Sequence, residues 1–283
     1  MLTELTAQTL GATAYLDIIL LFATALVISS IGFYRLLYFI NIGYAFAIVG
    51  MIVLVLTRHF GNLSLASGLQ NLFLAIWGLR LGLYLVQREF KAGAYDKYKN
   101  ETHASLAKIP FGVKIAIWIS VSILYVLMFS PNLFRLTELA TFTAWPFYLV
   151  QGIGLLLMGG GLALEWLADK QKSDFKAERP RDYCDTGLYR LVRCPNYLGE
   201  ITIWVGSWVV GIPFYTTPAH WIISLLGMIF IILIMMISTQ RLEKAQDDRY
   251  GGRPAYQEYI RTVPVLFPFL PIYSLKKVRI IPG

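Results

Sequence analysis

Seven times along this chain an apolar run long enough to cross a bilayer recurs, at about 12–32, 38–57, 68–87, 115–132, 144–168, 198–214 and 219–240. A hydrocarbon core takes about 20 apolar residues of helix. Lipid offers the backbone no hydrogen-bond partner, so only helices and closed barrels span it. Runs of this length therefore predict an all-α fold: a polytopic integral membrane helical bundle of about seven transmembrane helices. Composition agrees, because 57% of the 283 residues are hydrophobic and 15% are charged, against roughly a quarter charged in soluble domains. That balance excludes an ordinary soluble enzyme. It leaves little chain for a second domain, so 1–283 reads as one transmembrane domain.

The basic residues predict the orientation. Assigning alternate loops to one side collects 22 of the 25 Lys and Arg there, in Arg35, 88–114, 170–193 and 241–279. The opposite side receives Arg58 and Arg135, and Arg80 lies inside a span. By the positive-inside rule the N-terminus is expected outside, with the 169–197 loop and the 241–283 tail cytoplasmic. The net charge of +8 is thus explained by loops facing anionic lipid, and no nucleic-acid partner is expected. Glu4 and the absence of Lys or Arg before the first run do not make the basic start of a secretory signal, so the first span is expected to be retained. Cys184 and Cys194 fall in a loop assigned to the reducing cytoplasm, where a disulfide is not expected. His59, His103 and His220 occupy three separate loops, so no metal site is expected.

Polar residues inside spans are functional hypotheses by default. In the third span Trp77, Arg80, Tyr84 and Gln87 share one helical face, which predicts a buried polar seam; the alternative is an arginine reaching lipid headgroups. The fifth span ends with Glu165 and Asp169 at i, i+4, and the sixth opens with Asn196, Glu200 and Trp204 at the same spacing. If those ends meet, carboxylates and an amide converge where they can accept from ribose hydroxyls or amides, or pair with Arg190 and Arg193. A plain helix-end charge in water explains Asp169 equally well. Gly159, Gly160 and Gly161 sit mid-span with apolar flanks and no preceding strand, which favours close helix packing over a phosphate loop.

The segment DTGLYRLVRCPNYLGE, 185–200, joins a turn glycine, two arginines and a proline to a helix start. Helix N-termini favour anions, and Arg190 and Arg193 suit a diphosphate. Downstream, RYGGRPAYQEYIRTVPVLFPFLP carries Arg249, Arg253 and Arg261 among Tyr250, Tyr256 and Tyr259, a set able to stack on a base and hold phosphate. An interfacial amphipathic segment with an aromatic belt explains the tail alone equally well.

At these residues the chain resembles the membrane steroid 5-alpha-reductase family, especially its bacterial branch, whose pattern runs approximately GLW-R-x-SRHPNYFGE and then Y-x-x-Y-x-x-x-x-P-x-F-x-P. The likeness extends from Glu165 to Pro271, with a weaker echo in WGLRLGLYL. It implies a seven-helix bundle holding NADPH beneath a steroid-like lipid, in a bacterial inner membrane rather than the endoplasmic reticulum. By resemblance Asn196 and Glu200 bind the nicotinamide end, with Trp204, Asp169, Arg80, Tyr84, Arg249 and Tyr259 as further cofactor contacts. Glu200 thereby also counts among the catalytic candidates. Cys194 stands where bacterial relatives carry His, Trp77 stands at the place of the animal enzymes' carbonyl-binding Tyr, and no Gln-Glu-Leu-Pro motif appears in the second span. Asn41 and Tyr44 are catalytic candidates by position alone, with interhelical hydrogen bonding as the ordinary alternative.

The leading expectation is an NADPH-dependent reductase of a carbon–carbon double bond conjugated to a ketone, acting on a lipid as a monomer among membrane lipids. Its rival is a membrane S-adenosylmethionine-dependent methyltransferase of the isoprenylcysteine type, which shares an RHPxY motif and a similar tail. A non-catalytic lipid-binding bundle is the third class.

Overall fold

The computed structural model describes residues 2–90 and 108–278, with side chains from Tyr15 onward. Part of the basic loop between the third and fourth spans, His103 within it, and Arg279 lie outside the described residues, as does the side chain of Glu4. The helices are α1 (Leu2–Ser29), α2 (Ile42–His59), α3 (Leu65–Phe90), α4 (Phe111–Thr137), α5 (Ala144–Glu178), α6 (Pro195–Gly211), α7 (Pro218–Tyr250) and the short α8 (Pro254–Thr262). Among the described residues, seven segments are long and apolar enough to cross a membrane and there is no strand. The protein is a polytopic, all-α membrane protein.

The chain divides into two compact units, Met1–Gln151 with Val210–Gly227, and Gly152–Val209 with Met228–Gly283. In the first, α2 packs against α1, α3 and α4. Small residues set the approach: a Cβ at Gly78 would stand 2.9 Å from the Ala45 carbonyl oxygen, and one at Gly82 would stand 2.8 Å from the Phe46 ring. Polar clasps join the helices. Arg58 pairs with buried Asp17, which also meets His59 Nε2 at 2.8 Å. Asn71 and Asn132 exchange carboxamide hydrogen bonds of 3.2 and 2.8 Å between α3 and α4. Neither pairing is marked in the sequence, because an ion pair or amide pair between helices leaves no fixed spacing along the chain.

In the second unit, α5 and α6 cross backbone to backbone. A Cβ at Gly199 would lie 2.7 Å from the Glu165 nitrogen and 2.8 Å from the Gly161 carbonyl oxygen, and one at Gly206 would lie 2.7 Å from the Gly154 carbonyl oxygen. Of the run Gly159–Gly161 expected to serve helix packing, Gly161 does so, its Cβ position lying 2.6 Å from the Gly199 carbonyl oxygen, whereas Gly160 faces open space. Gly199→Ala is expected to cost about 1–3 kcal/mol by overpacking, read as a lower Tm in detergent. Gly160→Ala, where a Cβ meets nothing within 4 Å, should hold or raise Tm through helix propensity.

Candidate functional site

The candidate site in the second unit grows from the α5–α6 crossing. Because Gly199 rests on the backbone of Glu165, the α6 residues around it are held beside the end of the α5 span. Glu165 is 3% exposed, Glu200 7% and Trp204 2%. Asn196, in the first turn of α6, and Asp169, one turn beyond Glu165, are half-buried. The condition set in the sequence, that the end of the fifth span meet the start of the sixth, is met at the Gly199–Glu165 contact.

The loop entering α6 is built on one left-handed residue. Gly187 has φ +58°, and a Cβ there would strike the Gln171 side chain. Gln171 Oε1 accepts the Leu188 N–H at 2.9 Å, so the turn is pinned to α5. Tyr189 then donates to the Ala168 carbonyl oxygen at 3.3 Å. Burial, then the nearby Asp169 charge, raises the Tyr189 pKa, which keeps its hydroxyl a donor. Tyr259, whose pKa burial also raises, donates to the Tyr189 carbonyl oxygen at 2.8 Å and approaches that of Cys184 at 3.3 Å. Around it Tyr183 packs against Tyr250, Tyr256 and Tyr259 with ring centres 5.0–5.7 Å apart. The tyrosines of the tail are thus mortar between α8 and the loop. Their aromatic spacing suits base stacking equally well, and sequence carries no signal separating the two.

A second anchor was missed from sequence. Arg193 Nη2 donates to Glu243 Oε1 at 2.9 Å, in an ion pair whose side chains are 3% and 2% exposed, and also to the Tyr273 carbonyl oxygen. Glu243 Oε2 accepts the Leu275 N–H at 2.9 Å. The Arg193 and Cys194 amides reach the Pro264 and Val265 carbonyl oxygens at 2.9 and 3.0 Å, and Gln240 Nε2 donates to the Leu275 and Val278 carbonyl oxygens at 2.7 Å each. The tail is therefore stitched to α7 and to the loop before α6. Gln240 and Glu243 lie one turn apart in the polar C-terminal part of α7, among Arg241, Lys244 and Asp247, so the sequence does not mark them as the pair that holds the tail.

Arg193, expected to bind phosphate, has thus taken an internal carboxylate. Its Nε stays enclosed with no hydrogen-bond partner among the described residues. Arg190 and Arg249 are exposed. The remaining candidates belong to the first unit. Asn41 stands half-buried at the start of α2, its carbonyl oxygen accepting the Ala45 N–H at 3.1 Å. Tyr44 is buried, stacked on Tyr125 at 5.3 Å and edge-on to Trp77 at 5.1 Å.

Arg80 is half-buried, but Tyr84 and Gln87 are exposed, and Arg88 lies over the Tyr84 ring at 5.8 Å. The seam expected on α3 is therefore buried at Trp77, 0% exposed, and corrected at Tyr84 and Gln87. Gly78 and Gly82 draw the other face of α3 onto α2, and the Arg80, Tyr84 and Gln87 stripe is turned away from that contact.

A family model described as a protein of unknown function, DUF1295, matches residues 30–263. The chain belongs to the DUF1295 family. That family comprises steroid 5-alpha-reductase-like membrane proteins, and the model's description names no activity. No curated protein and no solved structure matches the chain.

The thiols of this DUF1295 member are free and buried. Burial pushes the Cys194 pKa up to about 11, against the opposing Lys172 and Arg193 charges. The thiolate is the reactive form, and at pH 8 about one Cys194 thiol in a thousand carries it. Alkylation by iodoacetamide, mapped by mass spectrometry, is expected to be very slow at pH 8 and to climb as pH approaches 11. Rapid modification at pH 8 would show an open loop instead.

Proposed function

We propose that this DUF1295 member is an NADPH-dependent reductase of a carbon–carbon double bond conjugated to a ketone, in a steroid-like or other lipid substrate. What supports the reading is one constellation: buried Glu200 and half-buried Asn196 at the start of α6, beside the α5 carboxylates, with Arg193 in the preceding loop, its enclosed Nε without a hydrogen-bond partner among the described residues. The donor set fits the cofactor. An orphaned guanidinium N–H and the exposed Arg190 and Arg249 suit phosphate oxygens, whereas Asp169 and Glu200 suit the hydroxyl and amide donors of a nucleotide. Asn196 and Glu200 are assigned to the carboxamide end, Trp204 and Tyr259 to further contacts, and Asp169 to ribose. Arg80 and Tyr84 retain cofactor roles by resemblance alone.

When bound, NADPH supplies the hydride that reduces the β-carbon. The chain's own work is orientation, exclusion of water, and a hydrogen bond to the ketone as enolate charge develops. Tyr44 and Asn41 keep their candidacy for that donor by position in the sequence alone. The bacterial branch of the reductases, and a bacterial inner membrane, are the finer form of the same proposal.

The test is a set of parallel binding titrations on purified protein in detergent, with NADPH, NADH and S-adenosylmethionine. Saturable NADPH binding is the expected result. Binding of S-adenosylmethionine without NADPH would transfer the protein to the isoprenylcysteine-type methyltransferases, and binding of neither would favour a lipid-binding bundle.

The proposed orientation, N-terminus outside and α6 loop cytoplasmic, needs a new label, since both native cysteines are buried. Ala177 is exposed near the end of α5. Ala177→Cys is expected to resist an impermeant maleimide applied to intact cells and to react after lysis. Labelling from outside in intact cells would reverse the topology.

A further inference from the structure

The two cations on the sparsely charged side, Arg58 and Arg135, have opposite fates. Arg58 is paired with Asp17. Arg135, in the last turn of α4, is 6% exposed, and among the described residues no carboxylate lies within ion-pair reach of it. Its neighbour is the Phe214 ring, 5.4 Å from the guanidinium carbon, and its Nη1 is fully enclosed with no hydrogen-bond partner among the described residues. The nearest acid in sequence, Glu138, accepts instead from the Thr216 hydroxyl at 3.0 Å.

A guanidinium does not shed its proton in proteins, and an uncompensated buried charge is strongly unfavourable. A ring face offsets only part of that. Three residues earlier Asn132 spends its carboxamide on Asn71, so the neighbouring turn offers no relief. The donor fork of an arginine matches a carboxylate or phosphate oxygen pair.

We infer that Arg135 is the anchor of an anion site in the first unit, taking the oxyanion headgroup of a lipid. The shared chemistry is a singly charged oxyanion on a hydrocarbon chain, carried either by the phosphate of an anionic phospholipid or by a free fatty carboxylate. This inference does not depend on the reductase reading, since none of its residues has a cofactor role.

The experiment uses full-length, delipidated protein in neutral detergent, titrated separately with phosphatidylglycerol, oleate, phosphatidylcholine and inorganic phosphate. Tm and native mass spectrometry are the readouts. At a lipid concentration about 100-fold above Kd, a rise of about 5 °C is expected with phosphatidylglycerol or oleate, together with one retained lipid mass. Whichever of the two acts names the source. Phosphatidylcholine, whose charge is internally balanced, should have little effect. Arg135→Gln should abolish the rise and the retained mass, and Arg135→Lys should keep part of both.

Equal stabilisation of wild type and Arg135→Gln would overturn the site. If Arg135→Gln does not fold, wild type decides: no retained anion and no rise with either anionic lipid overturns the inference. A response to inorganic phosphate equal to that of the lipids would also overturn the assignment to a lipid.

Discussion

Glu200→Gln is expected to fold with near wild-type Tm in detergent and to reduce a 3-keto-4-ene steroid about 100-fold more slowly. The substitution is nearly isosteric and removes only the charge. Glu200 is 7% exposed on α6, whose Gly199 is seated against the Glu165 backbone, so the side chain has little freedom to relocate. If it holds the reacting end of NADPH, its loss misplaces the nicotinamide, and a displacement of about an ångström is worth about 100-fold in rate. A purely structural role predicts a different pattern. Asn196 is the second residue of α6, so the cap position falls on Cys194; a structural Asn196 would show in Asn196→Ala as a lower Tm with turnover per folded molecule kept. The assay first requires wild-type turnover on the chosen steroid. Unchanged turnover in well-folded Glu200→Gln would remove Glu200 from the site, and NADPH affinity measured alongside separates lost binding from lost orientation.

Breaking the Arg193–Glu243 pair is expected to have the largest effect on stability. The two side chains are 3% and 2% exposed, and removing one partner of such a pair leaves a buried charge, at about 3–5 kcal/mol. Arg193→Ala and Glu243→Ala should each lower Tm steeply. They should also expose the tail, so that trypsin cuts faster at Lys276 and Lys277. The double variant Arg193→Met, Glu243→Gln should recover most of the loss. A carboxamide in place of the Glu243 carboxylate leaves no buried charge and retains an oxygen for the Leu275 N–H, which lies 2.9 Å from Glu243 Oε2 in the wild type. A Glu243→Ala protein within about 0.5 kcal/mol of wild type would show that the pair is solvated in solution. Because the Arg193 Nε has no partner among the described residues, Arg193→Lys is informative as well. It should keep part of the stability and weaken NADPH binding, if that N–H meets phosphate.

The sequence by itself determined the architecture. Apolar runs of this length admit only helices in lipid, and each of the seven coincides over most of its length with a helical segment long enough to span, the ends of three running into short 3-10 turns or the segment before α2. The spacing of Glu165 with Asp169 and of Asn196 with Glu200 also stated which residues share a face, because helical periodicity is local. The apolar setting of Gly159–Gly161 favours helix packing over a phosphate loop, although it does not mark Gly161 as the one that meets α6. These readings required only information carried within about two turns of helix.

What tertiary structure decided was which groups are already taken. Arg193 and Tyr259 read as ligand-binding residues in sequence. In the fold one is matched by Glu243, 50 residues away, and the other by the Tyr189 carbonyl oxygen, 70 residues away. Arg135 reads as an ordinary loop cation, and the fold buries it with no carboxylate partner among the described residues. The α3 stripe through Arg80 looks inward by periodicity, yet Gly78 and Gly82 chose the face that meets α2. Periodicity tells which side chains lie together on one helix. Partnership and burial depend on what another part of the chain brings to that face, and that is fixed only when the helices pack.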